Sequence, residues 1–360
     1  MRRFFAPGRV NLIGEHTDYS EGLVLPAAIN LGITLSCEPA EAIALTSSND
    51  GSRVYVDADG SGATASWGRY VAAVATELAL LGRPAVGLQG TVETTLPSGA
   101  GLSSSAALEV AVATALCAVA EWRLDPVELA AACRRAEERA VGVPCGIMDQ
   151  AVSVLGEDGC AILLDCGTLA HEAVPLPPQL ELLVVDCGVR HALEHSGYAD
   201  RRRELEEALP ALGGRRPADV AAAEAEELSA GLDDLHQRRL RHVVTENERV
   251  RVAVRVLREA EPDLAELGRL FLEGHASQRD DYETTTPELD LLVELAYAHG
   301  AVAARMTGGG FGGSIVALVE RGRAEAVGEA VADAYAAHGE QRATVRVCNA
   351  AAGAHELRVA

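Results

Sequence analysis

Residues 96–107 read Leu-Pro-Ser-Gly-Ala-Gly-Leu-Ser-Ser-Ser-Ala-Ala, and this run restricts the fold more than any other stretch of the chain. Upstream of it Val86, Leu88, Val92 and Leu96 fall on one parity, the period of a half-buried strand. Downstream, small residues from Ser103 to Val119 form a helix pattern. The chain therefore passes from strand through a glycine turn into a helix N-terminus. Gly99 and Gly101 let the backbone approach an oxyanion closely. The first N–H groups of a helix are unpaired and carry partial positive charge, which suits phosphate. The hydroxyls of Ser103, Ser104 and Ser105 add hydrogen-bond donors or a hard oxygen ligand for Mg²⁺. A serine-capped helix after a tight turn has the same spacing, so both readings stand at this point.

There is no lysine in the chain; all 31 Lys+Arg positions are arginine. Schiff-base chemistry, a pyridoxal-phosphate anchor and the lysine of a Walker A loop are excluded. Phosphate has to be held by backbone N–H groups, arginine and metal ions. The formal net charge of −22 repels nucleic acid and anionic membrane, so neither is expected as a partner. The eight cysteines form no Cys-x-x-Cys pair, which argues for buried thiols in a reducing cytoplasm rather than zinc or disulfide chemistry. The N-terminus carries no apolar signal-peptide core, and Ala106–Ala120, interrupted by Glu109, is too short to span a bilayer.

Strand-like and helix-like segments alternate throughout, the mark of a mixed α/β protein. One helix is signed at both ends, with Asp125 as N-cap, Pro126 at N1, Glu128 as a capping-box partner and Gly142 closing it. Leu129, Cys133, Ala136 and Ala140 form its apolar stripe. Leu182–Val185 reads as a buried strand, 208–237 as surface helices and loops, and Arg241–Leu257 as a helix. Thr286 and Pro287 open another helix that Gly300 ends. Ala301–Met306 and Ser314–Val319 read as strands on either side of a glycine loop. The Pro175-Leu176-Pro177-Pro178 stretch is the expected domain boundary.

Three further segments carry chemistry. Ala6-Pro7-Gly8-Arg9-Val10-Asn11-Leu12-Ile13-Gly14-Glu15-His16-Thr17-Asp18-Tyr19 packs arginine, carboxylates and histidine into a short polar cluster suited to recognising several hydroxyls. Gly142-Val143-Pro144-Cys145-Gly146-Ile147-Met148-Asp149-Gln150 presents a carboxylate, Asp149, that is either a base or charge stabiliser near an arginine or the N-cap of the helix that follows. Met306-Thr307-Gly308-Gly309-Gly310-Phe311-Gly312-Gly313-Ser314 is either a hairpin or a wall where backbone meets ligand.

In this order the four segments resemble the GHMP kinase superfamily. The run from Gly8 to Tyr19 narrows the resemblance to galactokinases, whose signature it matches almost letter for letter. The similarity continues through Asp165-Cys166, Val189-Arg190-His191, Tyr198–Arg203, His242–Arg249 and Arg279–Glu283, and covers nearly the whole chain. It implies an α/β (α+β) protein of two domains. An N-terminal mixed-sheet domain, 1–175, would hold the phosphate loop; a ferredoxin-like C-terminal domain, 176–360, would hold the glycine loop; the active site would lie between them.

The resemblance implies ATP and galactose as substrates, Mg²⁺ as cofactor and galactose 1-phosphate as product. It implies Asp149 at the reacting hydroxyl with Arg9 beside it, and Glu15, His16, Asp18, Gly146 and Tyr198 facing the sugar. Trp67, Gly99, Gly101, Leu102, Ser103, Ser104, Ser105 and Ala106 would bind ATP, with Tyr70 and Val71 beside Trp67. Ser105, with Ser104 as a further candidate, and Glu137 would hold the metal; Glu137 borders the apolar stripe of its helix and could equally form an edge ion pair with an arginine. By chemistry alone Trp67 serves equally well as a core residue. A cytoplasmic monomer is expected. Relatives usually carry a segment before the first motif, so which segment covers one edge of the first sheet is left open. The alternatives are a kinase for N-acetylgalactosamine or a pentose, and a non-catalytic sugar sensor; the intact Ser105-Ala106-Ala107 favours the enzyme over the sensor.

Overall fold

The computed structural model describes residues 1–62, 65–97, 99–190, 194–339 and 341–358, so Ser98 and His191 of the motifs above lie outside the described residues. The first sheet gathers β1 (Arg2–Asn11), β3 (Pro26–Ala40), β4 (Ala42–Ser47), β5 (Arg53–Asp57), β6 (Gly87–Thr94) and the late strand β13 (His355–Glu356), in the order β13-β1-β3-β6-β4-β5. Only β4 and β6 run parallel; the other pairs are antiparallel. Four helices accompany it: α1 (Gly68–Leu80), α2 (Ser104–Val119), α3 (Pro126–Val141) and α4 (Met148–Leu155). A small sheet of β2 (Leu23–Val24), β7 (Cys160–Asp165) and β8 (His171–Pro175) lies alongside.

Helix α2 is rich in Ala and Val and buried nearly all round, so it runs through the core instead of along the surface. Its N-terminus is thereby fixed beneath the glycine turn. Helix α3 begins and ends as its sequence signals: Asp125 accepts from the N–H groups of Val127 and Glu128, and Gly142 closes the helix at φ 81°. The reciprocal half of a capping box is not made, because Glu128 turns to Arg135 at 3.2 Å.

After β9 (Leu180–Arg190) the chain inserts α5 (Glu194–Ala208), α6 (Ala222–Ser229), α7 (Asp234–Leu257), α8 (Leu264–Asp280) and α9 (Pro287–Ala298). It then adds β10 (Ala303–Thr307), β11 (Gly312–Glu320), α10 (Ala324–Ala337) and β12 (Thr344–Cys348). The order β10-β11-β9-β12, all antiparallel, is the split βαβ arrangement of a ferredoxin-like unit. The α7 helix starts earlier than its sequence pattern suggests, on an Asp233 cap. Thr286 caps α9 as expected.

The edge left open in the sequence is covered from the far end of the chain: β13 pairs with β1 through Phe4–Glu356 and Phe5–His355, and Arg2 grips Glu356 at 2.7 Å. No disulfide joins any of the eight cysteines, and among the described residues no helix is long and apolar enough to cross a membrane.

Candidate active site

The glycine loop is both a hairpin and a wall. It joins β10 to β11 and docks on the first sheet's loops. Thr307 Oγ1 donates to the Asn11 carbonyl at 3.0 Å and accepts from the Asn11 N–H at 2.9 Å. Ser314 Oγ donates to the Ala100 carbonyl at 2.7 Å. The Gly308 N–H donates to Glu15 Oε1 at 2.6 Å. Glycine is required where backbones pass closely around this wall: a Cβ on Gly8, in β1, would lie 2.6 Å from the Leu102 carbonyl, and one on Gly310, in the glycine loop, 2.3 Å from the Thr284 carbonyl.

Two cavities meet in this cleft. The larger, about 780 Å³, is walled by the backbone of Gly99–Ser105 on one side and Gly309–Gly313 on the other, with Arg69, Arg202 and Arg203 at its rim. The smaller, about 200 Å³, is lined by Glu15, His16, Asp18, Gly146 and Tyr198. Arg9, Asp149, Tyr198 and Gly309 line both.

Asp149 stands at the junction. It lies in the first turn of α4, whose N-cap is Ile147, so the capping reading of Asp149 fails. Its carboxylate instead takes a two-pronged grip from Arg9, Nε to Oδ1 and Nη2 to Oδ2, each 2.8 Å. Ser103 Oγ also donates to Oδ2. Arg9 is buried and spends its remaining Nη1 on the Gly101 carbonyl at 2.5 Å, tying the phosphate loop to β1. Ser103 reaches Asp149 from a left-handed backbone, φ 60°, an uncommon conformation for a residue with a Cβ.

The smaller cavity is made of side chains under electrostatic load. Burial pushes the Glu15 carboxyl up to about 8, with Arg305 opposing it. Burial, helped by Asp149, raises the Asp18 carboxyl to about 6. Burial lowers the His16 imidazole to about 3, leaving it neutral. His16 Nδ1 bonds the Tyr19 hydroxyl at 3.0 Å, and Tyr19 bonds Tyr282 at 2.7 Å, while His16 Nε2 is buried beside Gly309 without a full hydrogen bond among the described residues. Tyr198, on α5, sets its ring 5.7 Å from that of His16. Gly146 has to be glycine because a Cβ there would fall 1.5 Å from Asp18 Oδ2. Such a set, acceptors and a neutral imidazole without water-like freedom, suits a small molecule with several hydroxyls.

On the opposite wall, Ser105 Oγ donates to Glu137 Oε1 at 2.7 Å, and Gln150 Nε2 donates to Glu137 Oε2 at 2.5 Å. The edge ion pair weighed for Glu137 is therefore not formed. Behind it Gln150 also reaches Glu109, a fully buried carboxyl that burial raises well above its ordinary value. Trp67 precedes α1 and lines a cavity of about 300 Å³ with Tyr70, Ser104, Ser105 and Leu108; its Nε1 donates to Ser52 at 2.9 Å. Val71 and Ala106, expected at the nucleotide, are buried in the core and line none of these cavities. The sequence reading passed over Gln150, Glu109 and Arg69. The available signals were that Gln150 adjoins Asp149 and that Glu109 interrupts an otherwise apolar helix.

Comparison with known proteins agrees with this architecture. Residues 2–39 match the galactokinase galactose-binding signature, 69–157 the N-terminal domain of GHMP kinases and 253–337 their C-terminal domain. A galactokinase of Thermococcus kodakarensis is 42% identical over 333 residues, 92% of this chain and 93% of its own. A galactokinase of Streptomyces coelicolor is 42% identical over 371 residues, 98% of this chain and 93% of its own. This chain belongs to the galactokinase family. The crystal structure of Lactococcus lactis galactokinase complexed with galactose superposes with a TM-score of 0.93 at 33% identity, over 99% of this chain and 95% of that one. A mevalonate kinase superposes with a TM-score of 0.68 at 16% identity and shares the fold alone. The ferredoxin-like unit and the mixed-sheet unit are thus the two-domain fold of the galactokinase family and of GHMP kinases at large.

Proposed function

We propose that this protein moves the terminal phosphoryl group of ATP onto the anomeric hydroxyl of galactose, giving galactose 1-phosphate and ADP. The observation that carries the reading is the junction of the two cavities at Asp149 and Arg9. A pocket walled by backbone N–H groups meets a pocket walled by hydroxyl-binding side chains at one carboxylate–guanidinium pair. Membership of the galactokinase family supports the choice of sugar.

The triphosphate lies over Gly99–Ser105, against the helix N-terminus of α2, with the base toward Trp67 and Tyr70. Glu15, His16, Asp18 and Tyr198 orient the sugar. Asp149 already accepts from Arg9 and Ser103, and Oδ1 keeps one open direction for the anomeric O–H. The hydroxyl oxygen bonds to the terminal phosphorus as the bond to the bridging oxygen breaks, ADP leaves, and the proton passes to Asp149. Because phosphoryl transfer depends chiefly on positioning and charge neutralisation, Arg9 matters as much as the carboxylate does. Ser105 and Glu137 fit Mg²⁺: two hard oxygens in contact, with Glu137 steadied by Gln150. When bound, Mg²⁺ neutralises triphosphate charge that no lysine is present to meet.

We place the domain boundary at 175/176, between β8 and β9, with the return of β13 to the first sheet as the exception, and a monomer in the cytoplasm as the working state. Turnover coupled to ADP release, measured on a panel of free sugars with and without Mg²⁺, tests the assignment. Galactose should be used far better than glucose, its 4-epimer, since a site built for a hydroxyl rejects an analogue that leaves its groups unpaired. Equal specificity constants for the two sugars would contradict it.

A further inference from the structure

The segment His242–Arg249, which carries part of the family resemblance, lines neither of the two cavities. It forms the middle of α7, where His242 and Glu246 stand one turn apart at i and i+4 and Asn247 follows on the adjoining side, so that together they make the side of the helix turned to residues 14–23. All three are fully buried. Each holds a backbone group of the loop that carries Glu15, His16 and Asp18. Glu246 Oε1 accepts from the Gly14 N–H at 2.9 Å, His242 Nε2 donates to the Glu15 carbonyl at 3.1 Å, and Asn247 Oδ1 accepts from the Leu23 N–H at 2.6 Å. The peptides entering Gly14 and leaving Glu15 are thus both pinned by one helix of the other lobe. The contact is close: Gly14 sits at φ 104°, and a Cβ there would lie 2.7 Å from the Leu23 carbonyl and 3.1 Å from Val250.

Glu246 is also the centre of a buried charge cluster. Arg305 Nη2, from β10, lies 2.6 Å from its Oε1, and Arg249 Nε donates to its Oε2 at 2.7 Å; neither Arg305 nor Glu246 has any exposed side-chain surface. Arg305 is itself wedged by α8, where a Cβ on Gly274 would fall 2.4 Å from Nη1. A buried ion pair is commonly no more stabilising than well-packed apolar residues, because desolvating both charges offsets their attraction. Stability alone therefore does not account for it. Neither Glu246 nor Arg305 lines the small cavity, so neither is placed to touch substrate.

We propose that this face of α7, with Glu246 at its centre and Arg305 as counter-ion, is a positioning element for the sugar half of the site. It holds the backbone on both sides of Glu15 so that Glu15 and His16 present their polar atoms to the sugar hydroxyls, and it leaves the nucleotide half alone. The assignment rests on the galactose reading above and adds to it residues that act without contacting ligand.

The test is steady-state kinetics paired with thermal unfolding, alone and with galactose or ADP added. In Glu246→Gln a single amide oxygen replaces the two carboxylate oxygens that accept from the Gly14 N–H and Arg249 Nε, and the charge facing Arg305 is lost, so the loop must shift. KM for galactose is expected to rise about tenfold or more, with KM for ATP and kcat at saturating galactose within about threefold. The rise in melting temperature produced by galactose should shrink and that produced by ADP should persist. Should Glu246→Gln fail to fold, His242 gives the same reading. His242→Leu removes the donor to the Glu15 carbonyl and raises KM for galactose, and His242→Gln, which keeps a donor near the Nε2 position, restores most of it. Variants that melt lower yet keep KM for galactose within about twofold, or that lose kcat and both KM values alike, overturn the assignment. A wild-type chain with neither turnover nor stabilisation by galactose removes the proposed function and this assignment with it. A wild type active on galactose beside variants of unchanged KM removes this assignment alone.

Discussion

The two halves of the cleft are made of different material. The half proposed for the nucleotide is mostly backbone, glycine turns and a helix N-terminus, with Arg9 at the junction and Arg69, Arg202 and Arg203 as its other arginines. The sugar half is side chains, most of them buried and carrying raised or lowered proton affinities. Backbone N–H groups do not titrate, so a phosphate site can be assembled with little charge stored in the empty protein. Hydroxyl recognition needs carboxylates and imidazole in fixed directions, so the sugar site holds polar groups that have lost water before the ligand arrives. The contrast teaches where sensitivity should lie: in transfer at the junction, in metal handling on one wall, and in sugar affinity and pH response on the other.

The largest effect is expected at the junction. Asp149→Asn keeps the shape of the site and removes the charge facing Arg9, and turnover should fall by about a hundredfold or more, the scale of a positioned acid–base group. Sugar and nucleotide binding should change far less. Rates and binding measured on the same folded variant decide it, and a stable protein with wild-type turnover removes Asp149 from the chemistry.

At the proposed metal pair, where Ser105 lines the larger cavity and Glu137 the smaller, Glu137→Gln should lower Mg²⁺-dependent turnover by about tenfold, roughly 1.4 kcal/mol of transition-state stabilisation. A metal titration of turnover should show a higher Mg²⁺ requirement; full activity at low Mg²⁺ would break the division of labour drawn here.

On the sugar side, Gly146→Ala drives a methyl group into the Asp18 carboxylate. KM for galactose should rise about tenfold while KM for ATP holds, since displacing one polar group in such a site is felt by the substrate it orients. Equal rises in the two KM values would show that the halves are not separable.

The smallest effect is on stability. The folded protein holds the Asp18 proton more tightly than the unfolded chain does, its carboxyl being raised from 3.8 to about 6. Stability from this group is therefore complete below about pH 4 and lost as pH rises through about 6. Asp18→Asn removes that penalty, so its melting temperature without sugar should exceed wild type by a few degrees at neutral pH, with the gap closing toward pH 4. Melts across this range check the sign; a gap that does not vary with pH would show that Asp18 carries no stored load.

Much of this was legible along the chain because the information is local. The helix ends at Asp125, Gly142 and Thr286 follow from side chains capping their own neighbours. The strand, glycine turn and helix over 86–119 follow from periodicity within one segment, and the density of polar types from Arg9 to Asp18 marked a site before any contact was known. Where spacing alone left two readings open, a distant partner decided between them. Asp149 fits a helix cap by spacing, but Arg9, 140 positions away, claims its carboxylate. Glu137 fits an edge ion pair, but Ser105 and Gln150 reach it first. Ala106 and Val71 read as nucleotide contacts because their neighbours are, yet the helix turn carries both into the core.

By itself the sequence determined the mixed class, the glycine turn into a helix N-terminus, the absence of lysine chemistry and the identity of most polar groups in the cleft, since each depends on residue type and short spacing. Only the tertiary structure decided that two cavities share one carboxylate, that β13 closes the edge beside β1, and that α7 grips the loop of Glu15 from behind. Those features join groups from 140 to more than 350 positions apart, and no periodicity or cap links residues at such distances; the packing of the folded chain does.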